Sequence, residues 1–237
     1  MTESYLYKDR VAVTDKISVL IPKLGDVIDN EDEYYGLVSV FTSMPIDFMV
    51  QLDDIGIDFT EINEWDLFTI LFPGLRDQDT SMILGELDLS KFSPGINESN
   101  GNHVLVDREN DIVIDRAILG QIADALRKIH HLEKNIRKPA NEEAKKFLLK
   151  RARDKMKRRR RRKQSSQLEE LIVAMVNTEQ FKYDFVGIRE LTIYQFNESV
   201  RQVIKKVDYD NRMYGVYTGS IDIKKMSQED LNWLTHK

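Results

Sequence analysis

The 237-residue chain contains no cysteine, so neither a disulfide framework nor a thiolate metal site can be built from it. Its four histidines are His103, His130, His131 and His236. Only His130 and His131 are close together, and neighbouring helical residues point about 100° apart, so this pair does not share a metal. At a helix end, where the dipole favours cations, both are expected on the surface. No window approaches the roughly 20 apolar residues of a membrane span, and the opening MTESYLYKDRVAV has no apolar core of a secretion signal. The motifs GxxxxGK[ST], GxGxxG, HExxH and GxSxG are all missing. There is no internal repeat and no long Pro/Gly/Ser-rich tract. These absences predict a soluble protein made in a cytoplasm, without metal or cofactor and without a catalytic signature.

What the chain does have is charge, very unevenly placed. Residues 145–163 hold thirteen Lys and Arg against one acid, Asp154, a local net of +12. The whole chain sums to −5, so everything outside this run sums to −17. The acidic remainder repels DNA, RNA or anionic lipid, and contact with a polyanion has to pass through this one segment.

Residues 1–95 read as an acidic, mainly helical segment. After a short extended start over 11–20, Tyr34, Leu37, Val38 and Phe41 fall at helical spacing, with acids in the first turn where the dipole favours them. Ser43 and Pro45 stop the chain and restart it, and the next helix is expected to end at Gly56. Asn63 with Asp66 forms a capping arrangement before Trp65, Leu67, Phe68, Ile70, Leu71 and Phe72. So many apolar residues predict a helix buried on most sides, closed by Pro73 and Gly74.

Residues 96–138 read as a hairpin followed by a helix that completes this domain. Val104 to Val106 and Ile112 to Ile114 flank the turn-forming DREND. Asp115 can cap a helix carrying Ile118, Ile122, Leu126 and Ile129, a clean amphipathic pattern. That helix should lie across the hairpin or against the acidic helices.

The basic segment, 139–164, begins at Pro139 and Asn141. Ala144, Leu148, Ala152 and Met156 lie four apart, a narrow apolar stripe suited to docking the helix on a protein surface. Beyond Met156 the stripe is lost and residues 157–163 are all cationic, so they repel one another unless an anion neutralises them. The candidate contacts for a polyanion or acidic partner are Lys150, Arg151, Arg153, Lys155, Lys157, Arg158, Arg159, Arg160, Arg161, Arg162 and Lys163. About a dozen cations on about 28 Å of helix could neutralise many phosphates, with affinity that falls steeply as salt rises. Without interleaved aromatic, Asn or Gln residues, such binding would be independent of sequence. The alternatives are pairing with the chain's own acids, −16 over residues 1–133, or with an acidic partner subunit, or a merely solvated linker.

Two acidic features suggest chemistry only weakly. Asp53, Asp54 and Asp58 could hold a divalent ion, but nothing local brings them together, and a solvated helix end is the plainer reading. Glu143-Ala144-Lys145 is an ExK triplet of the kind some metal nucleases use, and such triplets arise by chance in charged helices. In residues 165–237, Ser166 with Glu169 and Thr192 with Gln195 form capping boxes. The second precedes Phe196, Val200, Val203 or Ile204, and Val207. Residues 214–221 suggest a short extended turn, and Ser227 with Asp230 a final half-buried helix carrying Leu231, Trp233 and Leu234. The fold class is therefore mainly α, an α+β chain with one small β-hairpin, in which two small helical domains are joined by a long basic helix.

The segments IPKLGDVIDNEDEYYGLV, SMPIDFMVQLDDIGIDFTEINEWDLF, VLVDRENDIVIDRAILGQIADALRKIHH and YGVYTGSIDIKKMSQEDLNWL together resemble proteins of tailed bacteriophages and prophages of Gram-positive bacteria. The resemblance runs over most of the chain and is to virion-morphogenesis proteins of the tail assembly chaperone kind. It implies a non-enzymatic protein of the host cytoplasm or the virion, part of an oligomeric assembly. Its partners would be phage structural proteins of the tape-measure or tail-tube type. It carries no catalytic residues to transfer. An Arg-rich run is not demanded of such a chaperone, which keeps a sequence-independent DNA- or RNA-binding protein open as an alternative. A metal-dependent phage nuclease is a second, disfavoured alternative.

Overall fold

The extended start folds back on itself as β1 (Arg10–Ala12) and β2 (Ser18–Leu20), paired antiparallel with Val11 opposite Val19. Thr14 holds the turn, its Oγ1 accepting from the amides of Lys16 and Ile17. A computed structural model describes residues 4–160, 166–227 and 230–234. After the hairpin come α1 (Leu24–Asp29) and α2 (Glu31–Thr42), and Tyr34, Leu37, Val38 and Phe41 are all buried as their spacing predicts. A 3-10 turn (Pro45–Phe48) leads into α3 (Met49–Asp54), and Gly56, with φ +76°, turns the chain away at the expected place.

In α4 (Glu64–Leu75) the cap forms as expected: Asn63 Oδ1 accepts from the Trp65 and Asp66 amides, and Asp66 Oδ2 accepts from the Asn63 amide. Pro73 and Gly74 do not close this helix, which runs on to Leu75. Proline removes the hydrogen bond to the carbonyl four residues back and crowds that carbonyl, yet the helix carries on for two more residues and Leu75 is buried.

The expected hairpin is present as β4 (His103–Asp107) and β5 (Ile112–Ile114), but a third strand, β3 (Ser93–Ile96), extends it after the short α5 (Ser81–Leu84). Its sequence, SPGI, hides it, since Pro and Gly depress strand propensity; at a sheet edge Pro94 has no ladder bond to lose. Helix α6 (Arg116–His130) is capped by Asp115, whose Oδ1 accepts from Ile118, and packs on both α2 and β5.

Three further helices follow: α7 (Glu142–Arg160), α8 (Gln167–Val176) and α9 (Ile193–Tyr217). The expected separate helical unit from 165 is corrected. Leu168, Ile172, Met175, Ile188, Ile193 and Phe196 share one hydrophobic core with Tyr34, Phe68 and Ile122. Backbone bonds also tie the halves together, from Ile193 N–H to the Pro22 carbonyl and from Leu24 N–H to the Leu191 carbonyl.

The extended turn predicted over 214–221 is also corrected, because α9 continues through Tyr217. Gly215 stays helical, and a Cβ there would lie 2.6 Å from Ile221 Cδ1, so its bareness lets the returning chain pack close. The terminator is Gly219, at φ +77°. Ser227 and Asp230 do make reciprocal bonds, yet residues 230–234 are turns rather than the expected helix.

Candidate functional site

The basic helix α7 starts as predicted, with Asn141 Oδ1 accepting from the Ala144 amide. It is neither a free linker nor wholly available to a partner. One face is docked on α3 and the loop after it. Leu149, 8% exposed, enters a small second core with Ile46, Leu52, Phe59 and Leu67. Ala144, Leu148, Ala152 and Met156 are only half-buried beside it, so the expected stripe flanks the contact, and the residue that enters the core lies one position off its register.

Two cations flank Leu149 at four-residue spacing and meet the chain's own acids. Lys145 donates to Asp58, and Arg153 spans Asp53, at 2.8 Å, and Asp54. The hydrogen bond from Lys145, with others from Thr60, holds the Asp58 carboxyl down at about 2. The three aspartates considered as a metal group are thus docking partners of a cationic helix. The ExK triplet has the same explanation: its lysine is used in packing. Among the described residues, no three His, Asp or Glu side chains converge where a metal could be held.

The opposite face is open. Lys150, Arg151, Lys155, Lys157 and Arg158 are exposed and meet no carboxylate among the described residues. Arg159 and Arg160 complete α7, while Arg161, Arg162 and Lys163 lie outside the described residues. Phe147, 64% exposed, shares this face, which bears a recess of about 480 Å³ lined by Phe147, Lys150, Arg151, Asp154, Lys155 and Arg158. Sequence reasoning missed Phe147. Its signal was the helical offset from Leu149: at about 100° per residue the two point in nearly opposite directions.

The end of α6 also differs from expectation. His130 is not a surface cation: its ring packs against Tyr34 and Tyr35, and its Nε2 lies 2.9 Å from the Tyr34 hydroxyl. Burial, then the neighbouring His131, pushes the His130 imidazole down to about 4, so it is neutral at physiological pH. His131 takes a left-handed conformation, φ +52°, and faces Glu198 at 3.5 Å.

A second surface lies on α9. Beyond Phe196 no described residue of that helix is fully buried, and the returning tail meets it through Gln202 to the Trp233 carbonyl at 3.4 Å and Arg212 to Asp230. Ile204, Tyr214 and Tyr217 remain 62%, 71% and 82% exposed. Residues 160–237 match the family model of the YomV second domain. That family is phage-derived, and the match supports a phage protein of Gram-positive hosts. The YomV-like segment holds α8, α9 and the tail, with all of the exposed apolar arm, but only the last residue of α7. No curated protein and no solved structure matches the chain. Among the described residues no helix is long and apolar enough to cross a membrane.

Proposed function

We propose that the protein is a bacteriophage assembly factor that acts by protein–protein binding, in tail assembly, as a chaperone or virion-associated component. The observation that carries this reading is the apolar arm of α9. Ile204, Val207 and Tyr214 recur at helical spacing on a helix that has left the core, a form suited to laying one helix along another. On α7, Leu149 is taken up by the second core and Ala144, Leu148, Ala152 and Met156 are half-buried beside it, so the arm is the larger apolar surface left for a partner. A long helical tape-measure protein or a tail-tube subunit fits such an arm, in the host cytoplasm or carried into the virion.

The test is co-expression with the tape-measure and tail-tube proteins of the same phage, followed by affinity purification. The wild-type chain is expected to retain one of them, and Ile204→Lys with Tyr214→Lys to lose it without a change in melting temperature. Retention of neither partner by the wild type overturns the proposal.

A further inference from the structure

We infer that the outward face of α7 binds single-stranded nucleic acid. The inference concerns a surface separate from the apolar arm and stands or falls independently of it. Docking sorts the cations of α7 into two sets. Lys145 and Arg153 are neutralised by Asp58, Asp53 and Asp54, while Lys150, Arg151, Lys155 and Arg158 are exposed and pair with no acid among the described residues. Along this face they occupy about 12 Å of helix between residues 150 and 158, enough to track a phosphate backbone.

Charge alone would not distinguish a duplex, a single strand or an acidic protein. Two other residues of the face do. Phe147 is a large ring held in solvent among cations, 64% exposed. It gains by stacking on the face of a base, which a single strand offers and a closed duplex does not. Asp154, the one acid lining the recess, repels carboxylates and phosphates alike, so it gives no contact to a purely anionic partner. It can instead accept from an exocyclic amino group of an unpaired base. A ring for stacking, an acceptor for base edges and four cations for phosphates together fit a single strand.

The experiment is fluorescence anisotropy of the full chain with a labelled 20-nucleotide mixed-sequence single strand and with its duplex, at 50 and 200 mM salt. The single strand is expected to bind more tightly. With four phosphates neutralised, its affinity should fall about 50-fold between the two salt concentrations. Phe147→Ala should weaken single-strand binding about tenfold and leave duplex binding unchanged, and Phe147→Tyr should restore it. Because Phe147 is exposed, circular dichroism should show all three proteins equally folded. Lys150, Arg151, Lys155 and Arg158 changed together to Gln should abolish binding to both probes. Equal affinity for the two probes with no effect of Phe147→Ala overturns the inference in favour of a charge-only surface. No binding at 50 mM salt overturns it in favour of an acidic protein occupant.

Discussion

The Arg127 guanidinium lies against the Glu64 carboxylate in the interior, with side chains only 6% and 15% exposed. Arg127 also donates to the Thr42 carbonyl at 2.6 Å, and Lys134 reaches the second Glu64 oxygen at 2.5 Å, so the ends of α2, α4 and α6 meet at one ionic knot. Burial pushes the Glu64 carboxyl up, but bonds from Lys134 and Arg127 outweigh it and hold the group below its ordinary value. Removing one partner strands a buried charge. Glu64→Ala should lower the unfolding free energy by about 3 kcal/mol in urea titrations, and Glu64→Leu with Arg127→Met should recover most of that loss.

The two faces of α7 should respond in opposite ways to truncation. Leu149→Ala leaves a hole among Ile46, Leu52, Phe59 and Leu67 and should cost about 2 kcal/mol by urea denaturation. Phe147→Ala, two positions away, removes an exposed ring and should cost less than about 0.5 kcal/mol. Equal costs would mean that the helix is docked through a different face.

Stability should fall with acid in two separable steps. His130 has a folded value of about 4 against an ordinary 6.5, so the unfolded chain takes up its proton first. The stabilisation is complete above about pH 6.5 and is lost as pH falls towards 4, reaching about 2 kcal/mol at pH 5. His130→Gln, which keeps a partner for the Tyr34 hydroxyl, should flatten this step in urea midpoints measured from pH 7 to 4.5. Asp58, held at about 2 against 3.8, acts in a lower window. Its contribution is present above about pH 3.8 and disappears as pH falls towards 2, and Asp58→Asn should remove that step alone.

Amide exchange should divide α9 in two. Ile193, Tyr194 and Phe196 are buried in the main core, whereas no described residue from 197 to 217 is fully buried. Exchange of the distal amides should therefore be faster than that of α6, whose Ile122, Leu126 and Ile129 are fully enclosed. Addition of a partner that binds the arm should slow the distal set. Protection equal to that of α6 in the isolated chain would show the arm already covered.

Local rules made much of the fold legible. Asn63 with Asp66, Asp115, Asn141 and Thr192 with Gln195 announce helix starts by short-range hydrogen bonding, and the spacing of Tyr34, Leu37, Val38 and Phe41 announces a buried face. The sequence alone determined that one strongly basic helix is set in an acidic chain, because charge is counted without knowing any contact. Which of its cations remain available was decided only in three dimensions. Leu149 lies 82 residues beyond Leu67 in the chain, and Lys145 and Arg153 find Asp58, Asp53 and Asp54 across a similar gap, distances over which local periodicity carries no information. The same holds for His130, whose charge is abolished by burial against Tyr34, and for the SPGI strand, which forms because β4 offers it an edge. Packing between distant segments, through desolvation and ion pairing, selected the outward face of α7 and the bare arm of α9 from surfaces that composition alone could not tell apart.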